Sequence, residues 1–359
     1  MANEKPRIVT SRLEDLSDDF DSIPSHLKQE GDCWRAISNP GTTRQLSLQL
    51  VREIEQQSSF TVLDAKLSPD GQYLAARSDG AAQVWAIHQD WQKIWDVPDS
   101  SISRTLSHQG FQPVSFSPDS SIVATGGEQG HILMWALKDG SCRQDIPAHS
   151  YGVRTLAFSN GGNLLASGGS DNTVCLWEVD SGALSREFEV HAAVTQVTWS
   201  PDGKYLAASS GCDITVWDAD KYYVVHRLGG SARPAPHLIA SLAFSPCSRK
   251  LVSGCFNGLI EIWSMEDGIP IQRVPSMQLQ GQNDIIASLA VTPDNRWLLA
   301  GSKNRNLMVW DLHTGDDQML LWGFGNTVTG IDISKTGDMI ATSSAAGRIR
   351  IWSYIESKL

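Results

Sequence analysis

The chain has 359 residues, 41% hydrophobic and 19% charged, which is enough for a substantial core. Its formal net charge of −11 argues against broad attraction to nucleic acid, which needs clustered Lys and Arg. No apolar run approaches the roughly 18 to 20 residues that cross a bilayer, and the polar N-terminus has no secretory signal.

Residues 1–22 are polar and acidic, with Glu14, Asp15, Asp18, Asp19 and Asp21 against Arg12. Only Leu13, Leu16 and Phe20 are spaced like a helical stripe, so a disordered leader is expected, with a short partner-binding helix as the alternative. Residues 23–45 change character. Pro24, Gly31 and the Asn39-Pro40 pair mark turns around Trp34, and an ordered strap packed on the remainder is expected. Residues 46–53 (LSLQLVRE) alternate apolar and polar side chains as a half-buried strand does.

One plan recurs through residues 46–359. In residues 165–179 (LASGGSDNTVCLWEV), a small-residue strand runs into a tight turn at Asp171 and Asn172, then into an alternating strand closed by Trp177. Trp85, Trp135, Trp177, Trp217, Trp263, Trp310 and Trp352 each close such a run at intervals of 40 to 50 residues, the period of a propeller blade. Every repeat also carries a turn of Ser-Pro-Asp type, from residues 68–71 (SPDG) to 334–337 (SKTG). Pro presets φ there, and Gly or Asn tolerates positive φ. An all-β, seven-bladed propeller is the expected fold. After Trp352 only SYIESKL remains, too little for a turn and a fourth strand, and the last blade would keep an open edge. Radial folds avoid such edges, so residues 46–53 are expected to supply the outer strand of the last blade and close the ring. The longest interval places an insertion around residues 99–109, and residues 229–237 (GGSARPAPH) form another loose connector.

Blade three contains His149, Ser167, Asp171 and Trp177, and a Ser-His-Asp set invites a hydrolase reading. No GxSxG elbow surrounds Ser167, so nothing aims it as a nucleophile. The blade resembles the WD-repeat family, and that resemblance implies that the four side chains form a buried hydrogen-bond chain fixing the blade's register. Elsewhere the chain is partial. The aspartate position holds Asp79, Gln129, Gly211, Asn257, Asn304 and Ala346, while the histidine position holds His108 and His191 but Gln282 and Phe324 in later blades. The later blades should rely more on packing. His26, His88, His131, His226 and His313 lack metal-site spacing, the six cysteines lack CxxC pairs, and no Gly-rich loop joins a strand to a helix. No metal, cofactor or catalytic residue is assigned. Cys175 and Cys255 fall in strands as small hydrophobes, consistent with a reducing compartment, nuclear or cytoplasmic.

Propeller strands begin at the narrow top face beside the channel, so equivalent early positions form a ring: Leu63, Gln112, Arg154, Thr195, Ala240, Ala287 and Thr329. Nearby positions add Tyr151, Phe256, Lys303, Arg305, Trp322 and Phe324. Aromatic and arginine side chains on one rim have the composition of a binding hot spot, and the side with Trp322 and Phe324 next to Arg305 is the first choice. A protein partner at the top face is expected, with no direct nucleic acid and no membrane.

The strap EGDCWRAISNP (residues 30–40), with residues 50–85 after it, resembles the pre-propeller segment and first blade of the fungal Tup-type transcriptional co-repressors. LLAGSKNRNLMVWD (residues 298–311) and GRIRIWSY (residues 347–354) are similar to that family's last two blades. The resemblance implies a non-enzymatic scaffold whose propeller docks DNA-bound repressors and histone-associated machinery. Two departures stand out: this chain has no long N-terminal coiled coil, so a monomer is expected, and Gly110 and Arg154 stand where the family tends to show aromatic contacts. A competing expectation is a repurposed propeller that binds or transforms a small molecule at its channel mouth, favoured by the extra aromatics.

Overall fold

Each sequence repeat folds as one antiparallel sheet. The computed structural model describes residues 23, 25–39, 44–55, 61–78, 81–98, 113–127, 129–230, 237–275 and 284–358. Among these, seven sheets are present, with inner strands Val62–Leu67, Val114–Phe116, Val153–Phe158, Val194–Trp199, Ile239–Phe244, Ile286–Val291 and Val328–Ile333 in blades one to seven. Residues 1–22, the insertion around 99–109, Asp79, His108, Gly110, Gln112 and Gln282 lie outside the described residues.

The small-residue strand of each repeat is second in its sheet, and it is small because the next blade's inner strand presses on it. A Cβ added at Gly168 would stand 2.3 Å from Val194, and one at Gly254 would stand 2.5 Å from Ile286. Apolar clusters accordingly form between blades. One joins Ile132 and Met134 of blade two to Leu156, Phe158 and Trp177 of blade three. Second strands are buried from at least their second residue onward, whereas an outer strand such as Leu184–Glu189 is mostly exposed. In all seven blades the pairing of third and fourth strands slips by one residue beside the closing tryptophan, a bulge that adds twist.

Three N-terminal strands complete the ring: β1 (Lys28–Gly31), β2 (Trp34–Ser38) and β3 (Arg44–Glu55). β3 pairs with Arg348–Lys358 and is the fourth strand of blade seven, so an N-terminal strand closes the propeller. The segment expected as a strap is a hairpin. β2 pairs edge-on with Asp317–Trp322, the fourth strand of blade six, and extends that sheet to six strands.

That hairpin corrects two of the rim residues. Trp322 sits on the outermost original strand of blade six, far from the inner strand, and is half-buried beneath β2, where it pairs with Arg35. Phe324 is only 2% exposed. It is packed with Trp34 and Trp352, its ring centroid 6.3 Å from that of Trp352. Occupying the histidine position with a phenyl ring takes it into the core, where the apolar surface is removed from water.

Candidate functional site

Inner strands begin at one face, called the top, and surround a central channel of about 750 Å³. Leu63, Arg154, Thr195, Ala240, Ala287 and Thr329 all line it, as equivalent positions in a radial repeat must. Phe256 and Lys303 reach it from the top turns of blades five and six. Arg305 is exposed in the Lys303 turn but stands outside the lining, and Tyr151 is 65% exposed in the loop leading to Arg154.

Many polar groups in the channel are engaged in joining blades. Asp332 Oδ2 accepts the Leu67 amide at 2.8 Å, linking blade seven to one, and Asp64 Oδ2 accepts the Val114 amide at 3.3 Å, linking one to two. Thr155 Oγ1 accepts the Val197 amide at 3.0 Å, and Thr195 Oγ1 donates to the Ile239 carbonyl at 2.9 Å. Ser241 Oγ donates to the Ile286 carbonyl at 2.8 Å, Ser288 Oγ accepts the Ile331 amide at 2.9 Å, and Thr329 Oγ1 donates to the Val62 carbonyl at 2.8 Å. These bonds satisfy inner-strand groups that have no strand partner on the channel side. Sequence pattern alone did not separate them from binding groups, because a girdle of Ser, Thr and Asp looks the same in either role.

Lys66 lies between Asp64 and Asp332, with Nζ–O distances of 3.8 and 3.7 Å. Burial works against its ammonium, but the two carboxylates outweigh it and hold the lysine above its ordinary pKa. Arg154 is partly buried at the mouth. Desolvation lowers its pKa, although an arginine side chain remains a cation.

Away from the channel, the blade-three set is one hydrogen-bond chain. His149 Nε2 is 2.7 Å from Ser167 Oγ, which also accepts the Trp177 indole N–H at 2.8 Å, and His149 Nδ1 is 3.1 Å from Asp171 Oδ1. Asp171 also accepts the Ser150 amide and the Thr173 hydroxyl. Ser167 is 0% exposed, so no substrate carbonyl reaches its hydroxyl. Elsewhere the chain is thinned. Gly211 offers His191 no carboxylate, and His191 is exposed. Blade five pairs Asn257 with His237 at 3.0 Å, a histidine in the segment expected only as a loose connector. Asp284 accepts the Asn304 amide at 3.3 Å in blade six.

A second site, missed from sequence, sits where the ring closes. Arg350 is 1% exposed, with Nε 2.6 Å from Glu53 Oε2 on β3 and Nη1 3.0 Å from the Gly323 carbonyl. Its guanidinium lies 5.4 Å from the Phe324 ring, and Nη2 approaches Cys33 Sγ at 3.2 Å. Trp34 meets Trp352 edge-on at 5.2 Å. Gly323, at φ +109°, admits this approach, since a Cβ there would stand 2.4 Å from the Cys33 carbonyl oxygen.

Four-stranded sheets nested about a channel, each closed by a tryptophan, define a WD-repeat propeller, a class of protein-interaction scaffolds. Residues 48–86 match the family "WD domain, G-beta repeat". The chain belongs to the family described as "IFT122 first beta-propeller", which it matches over residues 110–359. It is also similar to the transcriptional repressor rco-1 of Neurospora crassa, 34% identical over 96 residues, or 27% of this chain. That stretch spans only 15% of the length of rco-1. Among the described residues, no helix is long and apolar enough to cross a membrane.

Proposed function

We propose that this protein is a non-enzymatic, co-repressor-like scaffold that docks a transcription or chromatin protein at the top of its channel. In this proposal it acts as a monomer in the nucleus or cytoplasm, without direct nucleic-acid or membrane contact. The observation carrying it is the division of labour in the channel. Polar groups of the inner strands join blades, while Arg154, Phe256 and Lys303 line the channel and Tyr151 and Arg305 are exposed in the loops beside them, a set whose composition suits a hot spot. Similarity to a protein named a transcriptional repressor supports the choice of partner class.

The test is affinity capture from native extract with the tagged full chain, beside a Tyr151→Ala/Arg154→Ala variant of equal melting temperature, with proteins and small molecules identified by mass spectrometry. Transcription or chromatin proteins should be recovered by the wild type and lost from the variant. Recovery unchanged by the variant would remove the assigned face. A retained small molecule, or metabolic enzymes alone, would overturn the co-repressor-like role.

A further inference from the structure

We infer that the lower outer edge of blades three to five is a second docking site, and that its occupant is a basic, apolar-bearing segment of a partner protein. This site is separate from the channel mouth and does not depend on the docking role proposed above. Strands alternate in direction from the top face, so the third strand of each blade turns into the fourth at the bottom of the outer rim. Blades three, four and five place Leu184, Tyr223, Val224, Ile269 and Ile271 at or just beyond that turn, each between 37% and 55% exposed. They are the majority of the large apolar side chains exposed among the described residues. The same stretch of blade two reads Ser141, Cys142 and Arg143, and that of blade six Asp316 and Asp317, so polar residues bound the band at either end.

Contacts between blades make the band continuous. Tyr222, in the blade-four turn, packs on the outer strand of blade three, its ring centroid 6.2 Å from that of Phe188 and 5.5 Å from the Arg186 guanidinium. Its φ is +60°, at a turn where blades two, three, five and six use Gly140, Gly182, Gly268 and Gly315. Blade four thus accepts a backbone strain that glycine avoids. Its turn fills the seam with one ring and presents the next, Tyr223, to solvent. The blade-five turn leans on blade four in the same way. A Cβ added at Gly268 would stand 2.4 Å from His226 Nδ1, and His226 Nε2 is 3.1 Å from the Met265 carbonyl oxygen.

The turns beneath the band are acidic. They carry Glu178, Asp180, Asp218, Asp220, Glu266 and Asp267 against Lys221, and all three lie wholly within the described residues. Just inward, Lys204 is held by Asp202 at 3.4 Å, and Arg249 stands beside Cys247. On the outer strands Arg186, Arg227 and Arg273 stand against Glu187 and Glu189, which leaves the turns to set the sign. That sign selects the occupant. It repels anionic lipid headgroups and nucleic-acid phosphates, and residues 1–22 of this chain, which are themselves net acidic. A second copy docked by two-fold symmetry would set acidic turns against acidic turns. A partner segment whose Lys or Arg residues flank apolar side chains meets complementary charge and removes the band from water.

The experiment measures binding of labelled synthetic peptides of one length to the full chain by fluorescence anisotropy. One array combines Lys and Arg with Leu and Phe in varied order, and two control arrays replace its basic residues by Glu or its apolar residues by Ser. Peptides of the first array should bind at least about tenfold more tightly than their counterparts in either control. Tyr223→Ser/Ile269→Ser/Ile271→Ser, at exposed positions, should weaken that binding at least about tenfold with melting temperature unchanged. Asp220→Asn/Glu266→Gln/Asp267→Asn should weaken it and flatten its salt dependence, and this variant carries the test alone if the first lowers the melting temperature. Bound peptide should slow amide hydrogen exchange at residues 218–227 and 264–272. Equal binding of the Glu array, binding unmoved by both variants, protection confined to the channel mouth, or failure of every basic apolar peptide to bind overturns this inference and leaves the docking role of the mouth untouched.

Discussion

His149 shows how a single residue can carry the grammar of catalysis and do structural work. Burial lowers its pKa below the ordinary histidine value, even though Asp171 pulls the other way, so the folded state prefers the neutral ring. Asp171 is held below the ordinary carboxylate value: burial opposes this, but the Thr173 hydroxyl, the Ser150 amide and His149 outweigh it. Both shifts have the same sign for stability. The neutral histidine stabilises fully above its unfolded value near pH 6.5, and that contribution is lost as pH falls through the lowered folded value; the Asp171 contribution is lost at more acid pH still. His149→Gln, which breaks the chain to Ser167 and Asp171, should cost about 1–3 kcal/mol at neutral pH. Melting temperature measured against pH should also be flatter for the variant than for the wild type from about pH 6.5 downward. Equal slopes would mean that another group carries the acid sensitivity.

At the scale of the element, the Ser-Pro-Asp turns repeat one small device. Ser68, Ser117 and Ser200 donate to Asp70, Asp119 and Asp202 at 2.5, 2.6 and 2.6 Å, and each carboxylate also accepts an amide two residues on. The Ser117 hydroxyl and the Ser121 amide hold Asp119 below the usual carboxylate range. Blade five places Cys247 in this position, its sulfur 3.4 Å from Ser245 Oγ. Burial pushes the thiol up, but the Ser245 hydroxyl and the Arg249 amide outweigh it and lower its pKa, as expected of a site built for an anion. Cys247→Asp should therefore stabilise the protein by about 0.5–1.5 kcal/mol, seen as a higher urea midpoint at unchanged m. A lower midpoint would show that the turn has adapted to sulfur. These turns and the closing tryptophans were readable because their spacing within a blade is constant. The histidine position was readable for His149 but not for His237: the loops before the inner strands vary, and His149 stands four residues before its strand whereas His237 stands only two.

Across the whole molecule, closure by β3 followed from a count of strands, since a final blade with three strands leaves an edge unpaired. The charged lock behind that closure could not be anticipated in the same way. Glu53 and Arg350 are nearly 300 residues apart, and nothing in an alternating strand distinguishes a buried arginine from an exposed one. Legibility of the mouth divided along the same line. The ring of inner-strand positions came from the repeat, whereas Trp322 and Phe324 were lost to an N-terminal hairpin that lies outside the repeat. The lock makes a thermodynamic claim that an exposed pair does not. Lys93 and Asp96 meet at 2.8 Å with both side chains well exposed, so Asp96→Ala should cost less than about 1 kcal/mol. Glu53→Ala would leave the Arg350 guanidinium buried without its carboxylate, at a cost of about 3–5 kcal/mol in urea denaturation. Exchanging both partners for apolar residues, Glu53→Leu with Arg350→Met, should recover most of that loss, because the penalty lies in the uncompensated charge. A double variant as unstable as the single one would mean that the bonds from Arg350 to Gly323 and Cys33, which it also removes, hold the ring shut more than the ion pair does.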